Sequence, residues 1–466
     1  MNLVLLARHL RIQPFPADTE EGRAAERYRR ASWTMLAHVV SSAASMLVMV
    51  LSVSWTVPYL GAERFGAWMT IASLAAVLSF LDLGVGNGLT NRIARAASEP
   101  GDIGLSQAVS GGLGVLASLA FALLLLLGVA AWLLPWQVLI KTTSNALVDE
   151  IRITVFVFAG LFAASIFTNG VLRVYHGLQR GFEVFAISVP CTFVGLLLLY
   201  FATRYHVGMP VLLVCSMVGG MLPGIWLWIQ LSRKGLFRIA GWVHSTRIEK
   251  PKLLRVSLLF FLLQIGTAFG WGMDSLIISS TMGASAVAAF TLVQRMYLIA
   301  AQPMHILNSP LWPAYADADA RNDRAFIRKT LASAVQMTFA YTAMAVMVLA
   351  WVSAPVLRYW TDGQVAPSDS LVYAIGAWTI TAGIANCFAM FLNGMGILRP
   401  QAVAVLMIVA VGVPLKFLVV RTVGIDAMVY IFTAFFVITH CTLYGILYRS
   451  QIEKQLGLVR PKIDRH

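Results

Sequence analysis

The sequence predicts an all-α, polytopic membrane protein, with twelve transmembrane helices in two six-helix lobes related by a parallel repeat. Three observations predict it. The 466 residues are 59% hydrophobic but only 12% charged, about half the charge of a soluble domain. Twelve segments are apolar over the roughly 20 residues that a spanning helix needs. The basic residues also segregate to alternate loops, as they do on the two sides of a membrane.

Residues 1–31 open with MNLVLLARHLRI. This short apolar run precedes its positive charges and lacks a small-residue cleavage site, so it does not read as a secretory signal. The polar PFPADTEEGRAAERYRR that follows makes the stretch a cytoplasmic tail. An N-terminal lobe, 32–231, then holds apolar segments at about 33–58, 65–90, 105–134, 153–172, 182–203 and 207–231. A basic cytoplasmic linker, 232–255, separates it from a C-terminal lobe, 256–448. That lobe has segments at about 256–281, 284–308, 329–353, 370–395, 401–420 and 424–448, and residues 449–466 form a second cytoplasmic tail.

With the N-terminus inside, 27 of the 35 Lys and Arg fall on the inner side and 6 on the outer, while Arg295 and Lys416 lie within spans. This bias places both termini in the cytoplasm and requires an even number of crossings. It also accounts for the net charge of +14 with the lipid bilayer, and not nucleic acid, as partner. The longest outer loops, near 135–152 and 354–369, are too short for a folded domain. Cys191, Cys215, Cys387 and Cys441 sit in apolar runs without metal-ligand spacing and are expected to be small buried hydrophobes.

The chain repeats at an offset near 222 to 224 residues. Gly61-Ala62 with Phe65 and Ala67-Trp68 matches Gly283-Ala284 with Val287 and Ala289-Phe290. Asn169-Gly170 matches Asn393-Gly394, and a proline follows each Asn by 21 residues, at Pro190 and Pro414. The short loops at Val207-Gly208 and Val423-Gly424 correspond as well. Six spans per half give both halves the same orientation, the parallel-repeat plan of some secondary transporters, with a site where the halves meet.

Charge within a span is costly and faces a cavity or a partner. Asp82, Asp274, Arg295 and Lys416 are placed this way. Asp274 and Arg295 flank one turn near Gly283, within reach of each other. They form either a structural ion pair, or a site in which Arg295 offers its planar fork to an anionic substrate. Lys416 has only Asp426 near it in its own hairpin, so snorkelling to the interface competes with a site role. His38, His305 and His440 are either satisfied polar groups between helices or proton-coupling groups. Gln264, Gln294, Gln302, Asn169, Asn308 and Asn393 are expected to bond between helices or to line an aqueous cavity.

Leu81–Ala96, LDLGVGNGLTNRIARA, spaces Gly84, Gly86 and Gly88 like a phosphate loop. A phosphate loop follows a strand and opens a helix in water, whereas this run continues an apolar span. Its glycines therefore serve close helix approach or bending. Asp82 and Asn87 become gating candidates at a cytoplasmic rim. No GxxxxGK[ST], GxSxG or HExxH occurs, so the expectation is a transporter and not an enzyme, with no cofactor and no metal. Energy is expected from gradients or from downstream consumption of cargo.

Residues 59–96, YLGAERFGAWMTIASLAAVLSFLDLGVGNGLTNRIARA, resemble the polysaccharide (O-antigen type) flippase family of the multidrug/oligosaccharidyl-lipid/polysaccharide exporter superfamily. The matching positions are Leu60-Gly61, Phe65-Gly66 and Trp68, then Asp82-Leu83-Gly84 and Gly86-Asn87. DSLIISSTMGASAVAAFTLVQR is similar to the family through Asp274, Gly283 and Arg295, and departs from it at Ala288, where the family prefers Gly. The resemblance implies two lobes that alternate a cationic cavity between the faces of the cytoplasmic (inner) membrane. It implies a cargo of undecaprenyl-pyrophosphate-linked oligosaccharide repeat units moved to the outer leaflet for polysaccharide biosynthesis and export. A polysaccharide polymerase and chain-length machinery are the partners it suggests. Arg295 is then the first candidate for the pyrophosphate, with Lys416 and Arg92 after it. The alternative is a small-molecule or multidrug antiporter of the same superfamily.

Overall fold

A computed structural model describes residues 20–78, 85–97, 102–140, 145–237, 268–308, 311–320, 322–397 and 399–456, with Gln13 and Val243 besides. Among these residues every regular element is helical. Ten helices are long and apolar enough to cross a membrane. Ser32–Ala75, at 44 residues, is about twice a crossing length and breaks at Gly61, so it holds the first expected span and the start of the second. The first part of the seventh expected span, residues 256–267, lies outside the described residues. The twelve-helix plan is compatible with these ten.

By packing, the chain divides into two units: residues 1–59, 78–136 and 144–264 in one, and 60–77, 137–143 and 265–466 in the other. The first half of α1 (Glu20–Val77) therefore belongs to the first unit and the half beyond the break to the second.

The first unit is built around α5 (Asn145–Gly177). It packs against α2 (Val85–Ala96), α3 (Asp102–Leu133) and α7 (Met209–Arg233), and α6 (Gly181–Arg204) packs on α7. Gly86 and Gly88 are buried within α2, as expected for glycines that let helices approach closely. At one end of the bundle Glu150 accepts the backbone N–H of Met209 at 2.8 Å, meeting an N–H that the start of α7 leaves open. Tyr59 donates to the Val207 carbonyl at 2.7 Å and fastens α1 to the same turn.

The second unit includes most of a short helix, α4 (Trp136–Ile140). It also comprises the second half of α1, α8 (Asp274–Met282), α9 (Ala284–Asn308), α10 (Leu311–Ala320), α11 (Arg324–Trp360), α12 (Asp369–Gly394), α13 (Arg399–Met407), α14 (Val413–Thr422), α15 (Ile425–Thr442) and α16 (Arg449–Gln455). Helix α12 is its hub, touching α9, α10, α11 and α15. At one end its core is Tyr315, Phe391, Leu392 and Met395. Elsewhere Ile408, Phe432 and Phe436 pack under Trp378.

Gly61 (φ 70°, ψ 169°) and Gly283 (φ 95°, ψ 169°) adopt the same backbone conformation, one essentially restricted to glycine. They are the pair that the internal repeat aligns. Of the loops matched at Gly208 and Gly424, only Gly424 has positive φ, at 117°. In the first of these turns the left-handed residue is His206, at φ 54°.

The cysteines are all free. Cys387 is buried as expected, whereas Cys441 is exposed on an apolar helix, where lipid is its natural surrounding.

Candidate functional site

The charged residues inside the second unit's spans are brought together by irregular helix. Pro414 stands one residue into α14. It has no N–H for the carbonyl four residues back and its ring crowds that carbonyl. The chain there widens into a π-turn at Ile408–Gly412, a local form that concentrates at functional sites. A second π-turn, Ala268–Gly272, immediately precedes α8. The two turns pack on each other, and a side chain at Gly270 would start only 3.0 Å from Ile408 Cγ2.

Lys416 and Asp274 meet beside these turns. Lys416 Nζ donates to Asp274 Oδ1 at 2.6 Å and to the Gly270 carbonyl at 2.6 Å. The same ammonium lies 3.6 Å from the Phe432 ring centroid, a cation–π contact strengthened by the loss of water. Lys416 is 2% exposed and Asp274 15%. Asp274 stands nine residues before Gly283 and Lys416 eight before Gly424. Both are therefore about 12–14 Å along their helices from those turns, which matches their depths.

This geometry corrects two expectations. The partner of Asp274 is Lys416 and not Arg295. Lys416 neither snorkels nor pairs with Asp426, which instead accepts from Ser368 Oγ at 2.8 Å.

Arg295, half-buried on α9, makes no ion pair among the described residues. Its Nη2 reaches Met69 Sδ at 3.3 Å, a weak acceptor. Around it the second half of α1 comes unusually close to α9: a Cβ on Gly66 would fall 1.7 Å from the Ala284 carbonyl oxygen. Phe65 and Trp68 of the same stretch are buried and stack edge-on with centroids 5.9 Å apart. The glycine that opens the repeat motif, Gly61, and the one inside it, Gly66, thus hold Met69 against Arg295.

Asp82 and Gln264 are outside the described residues, and Asn87 falls on the first turn of α2 with its side chain outside them. Arg92 is half-buried on α2 and engaged within the protein. His38 stacks on Phe185 with centroids 4.6 Å apart. His440 holds the Phe436 carbonyl through Nδ1 at 2.9 Å, and His305 is exposed. Asn169 is exposed and Gln294 half-buried. Asn393 accepts from Gln401 at 2.9 Å.

Asn308 does bond between helices, donating to Thr338 Oγ1 at 3.1 Å and to Cys387 Sγ at 3.4 Å. Beyond the spans, burial pushes the neighbouring Tyr315 phenol above its ordinary range. Sequence reasoning missed the Gly270 carbonyl, Phe432 and both π-turns. Pro414 was the one available signal, since a proline inside an apolar helix marks an irregularity.

Known proteins supply the context for this geometry. The family described as "Polysaccharide biosynthesis protein" matches residues 28–317. No curated protein sequence matches the chain. Among solved structures, an inward-facing multidrug resistance MATE family transporter of the MOP superfamily superposes with a TM-score of 0.73 at 14% identity, over 90% of this chain and 96% of that one. The lipid II flippase MurJ in an inward closed conformation gives 0.64 at 15% identity, over 88% and 87%. A MOP superfamily transporter from Pyrococcus furiosus, described as having a binding pocket of reverse polarity, gives 0.59 at 14% identity, over 92% and 96%. At these identities the likeness is one of fold.

Proposed function

The chain belongs to the polysaccharide biosynthesis protein family, and from that premise we propose that it is a flippase for undecaprenyl-pyrophosphate-linked oligosaccharide repeat units, working by alternating access in the cytoplasmic membrane. One observation carries the choice of cargo. Among the described in-span charges Asp274 and Lys416 neutralise each other, and Arg295 is left with a sulfur contact alone. A cation held in an apolar span without a carboxylate calls for an anion from outside the protein, and a guanidinium suits the paired oxygens of a phosphate. Arg295 is the residue we assign to the pyrophosphate. Lys416, whose ammonium is already engaged by three groups, becomes a structural residue in this arrangement.

The multidrug alternative fits these charges less well. An exporter of organic cations needs an accessible carboxylate, and the one in-span carboxylate described, Asp274, is already paired. A strain lacking the protein should accumulate lipid-linked repeat units on the inner face of its membrane. Wild-type protein should clear them, and Arg295→Ala at equal abundance should not. Absence of accumulation in the null strain would remove the flippase reading.

A further inference from the structure

Where α1 and α6 enter their apolar spans, at Ser32 and Gly181, the first unit carries a cavity of about 740 Å³ lined by Arg29, Arg30, Trp33, Gln179, Arg180 and Phe182. That volume lies within the range of small-ligand sites. The arginines are held in place by acids of the same wall. Glu26 accepts from Arg29 Nε at 2.7 Å and Nη2 at 2.8 Å, and from Arg30 Nε at 3.0 Å. Glu183 holds Arg180 in the same way.

Arg30 and Arg180 are nonetheless far from saturated. A guanidinium has five N–H donors. Arg30 gives its Nε to Glu26, and the donors on its two terminal nitrogens have no partner among the described residues. Among the described residues Arg180 gives Nε and Nη2 to Glu183 and lies 5.7 Å from the Tyr175 ring centroid, leaving Nη1 without an acceptor. Among the described lining residues, three arginines against two glutamates leave one positive charge on the wall. The other side is apolar: Trp33 and Phe182 meet edge-on with centroids 6.1 Å apart, and aromatic rings of this kind favour the headgroup level of a bilayer.

We propose that this cavity binds the headgroup of an anionic glycerophospholipid. A phosphodiester carries the single negative charge that balances the wall, and its two free oxygens match the terminal N–H groups of Arg30 and Arg180. The glycerol carbons lie against Trp33 and Phe182, and the acyl chains run on into the bilayer beside α1 and α6. The site is built from the first unit alone, whereas Arg295 belongs to the second, and it is independent of the cargo. A pyrophosphate, with two or more charges, is a poorer match to a wall with one to offer.

Native mass spectrometry of the full chain in detergent tests this directly. Phosphatidylglycerol should form one saturable adduct, and phosphatidylcholine none of comparable affinity. Arg30→Gln combined with Arg180→Gln should weaken that adduct about tenfold, the loss of about one charge-assisted hydrogen bond. Arg233→Gln, an exposed arginine at another span end, should leave it unchanged. Arg30 and Arg180 are 49% and 38% exposed, so the pair can be removed without touching the core. Equal binding of phosphatidylcholine, an unchanged adduct in the double variant, or equal weakening by Arg233→Gln would overturn the site. Displacement of phosphatidylglycerol by inorganic phosphate at similar concentration, or by undecaprenyl pyrophosphate at lower concentration, would overturn the assignment to a phospholipid.

Discussion

Lys416 is the residue whose role changed most between sequence and structure. Its carboxylate partner lies 142 positions away on another helix, so no local pattern announces it, and the same holds for Phe432 under its ammonium. Removing one member of a buried pair strands the other charge at about 3–5 kcal/mol, whereas replacing both with apolar groups of similar size is often neutral. Asp274→Asn alone should therefore lower the thermal unfolding midpoint in detergent markedly, because it strands the Lys416 ammonium, and Lys416→Met alone should do so less, because the carboxylate it strands is the more exposed of the two. The double replacement should recover most of the loss. Additive losses would mean that the pair does not act as a unit. Arg295 should behave differently. Its change to Lys should leave folding intact but lower transport about tenfold or more, because a point charge loses the forked contact. Full transport by the Lys variant would show that charge alone is sufficient.

The helices themselves were largely legible. Runs of about 20 apolar residues suffice to mark spans, and the segments expected from 105 to 231 and from 284 to 448 all appear as helices. The turn glycines were legible as well, through the repeat. Gly61 and Gly283 share a conformation in which a side chain costs about 1–3 kcal/mol. Gly283→Ala should destabilise the protein by that order. A Gly283→Ala protein as stable as wild type, by denaturation in detergent, would contradict the strained-turn account. The π-turns were not legible, because a widened turn has the same hydropathy as the helix it interrupts. Only Pro414 hinted at one of them.

For the whole molecule, composition and the distribution of basic residues were enough to place it in a membrane, and the motif at 59–96 was enough to anticipate the family. Side-chain partnership was the part that sequence left open, since which charges cancel depends on how helices distant in the chain pack. Once Asp274 is assigned to Lys416, the second unit's spans keep one positive charge without a carboxylate among the described residues, and the account of cargo rests on it. The most direct measurement is a liposome assay of the purified protein, offering in parallel an undecaprenyl-pyrophosphate-linked oligosaccharide and a lipophilic organic cation. The account predicts that wild-type protein makes the glycan accessible on the far leaflet and that Arg295→Ala does not, with no cation transport by either. Cation transport without glycan translocation, or full translocation by Arg295→Ala, would contradict it.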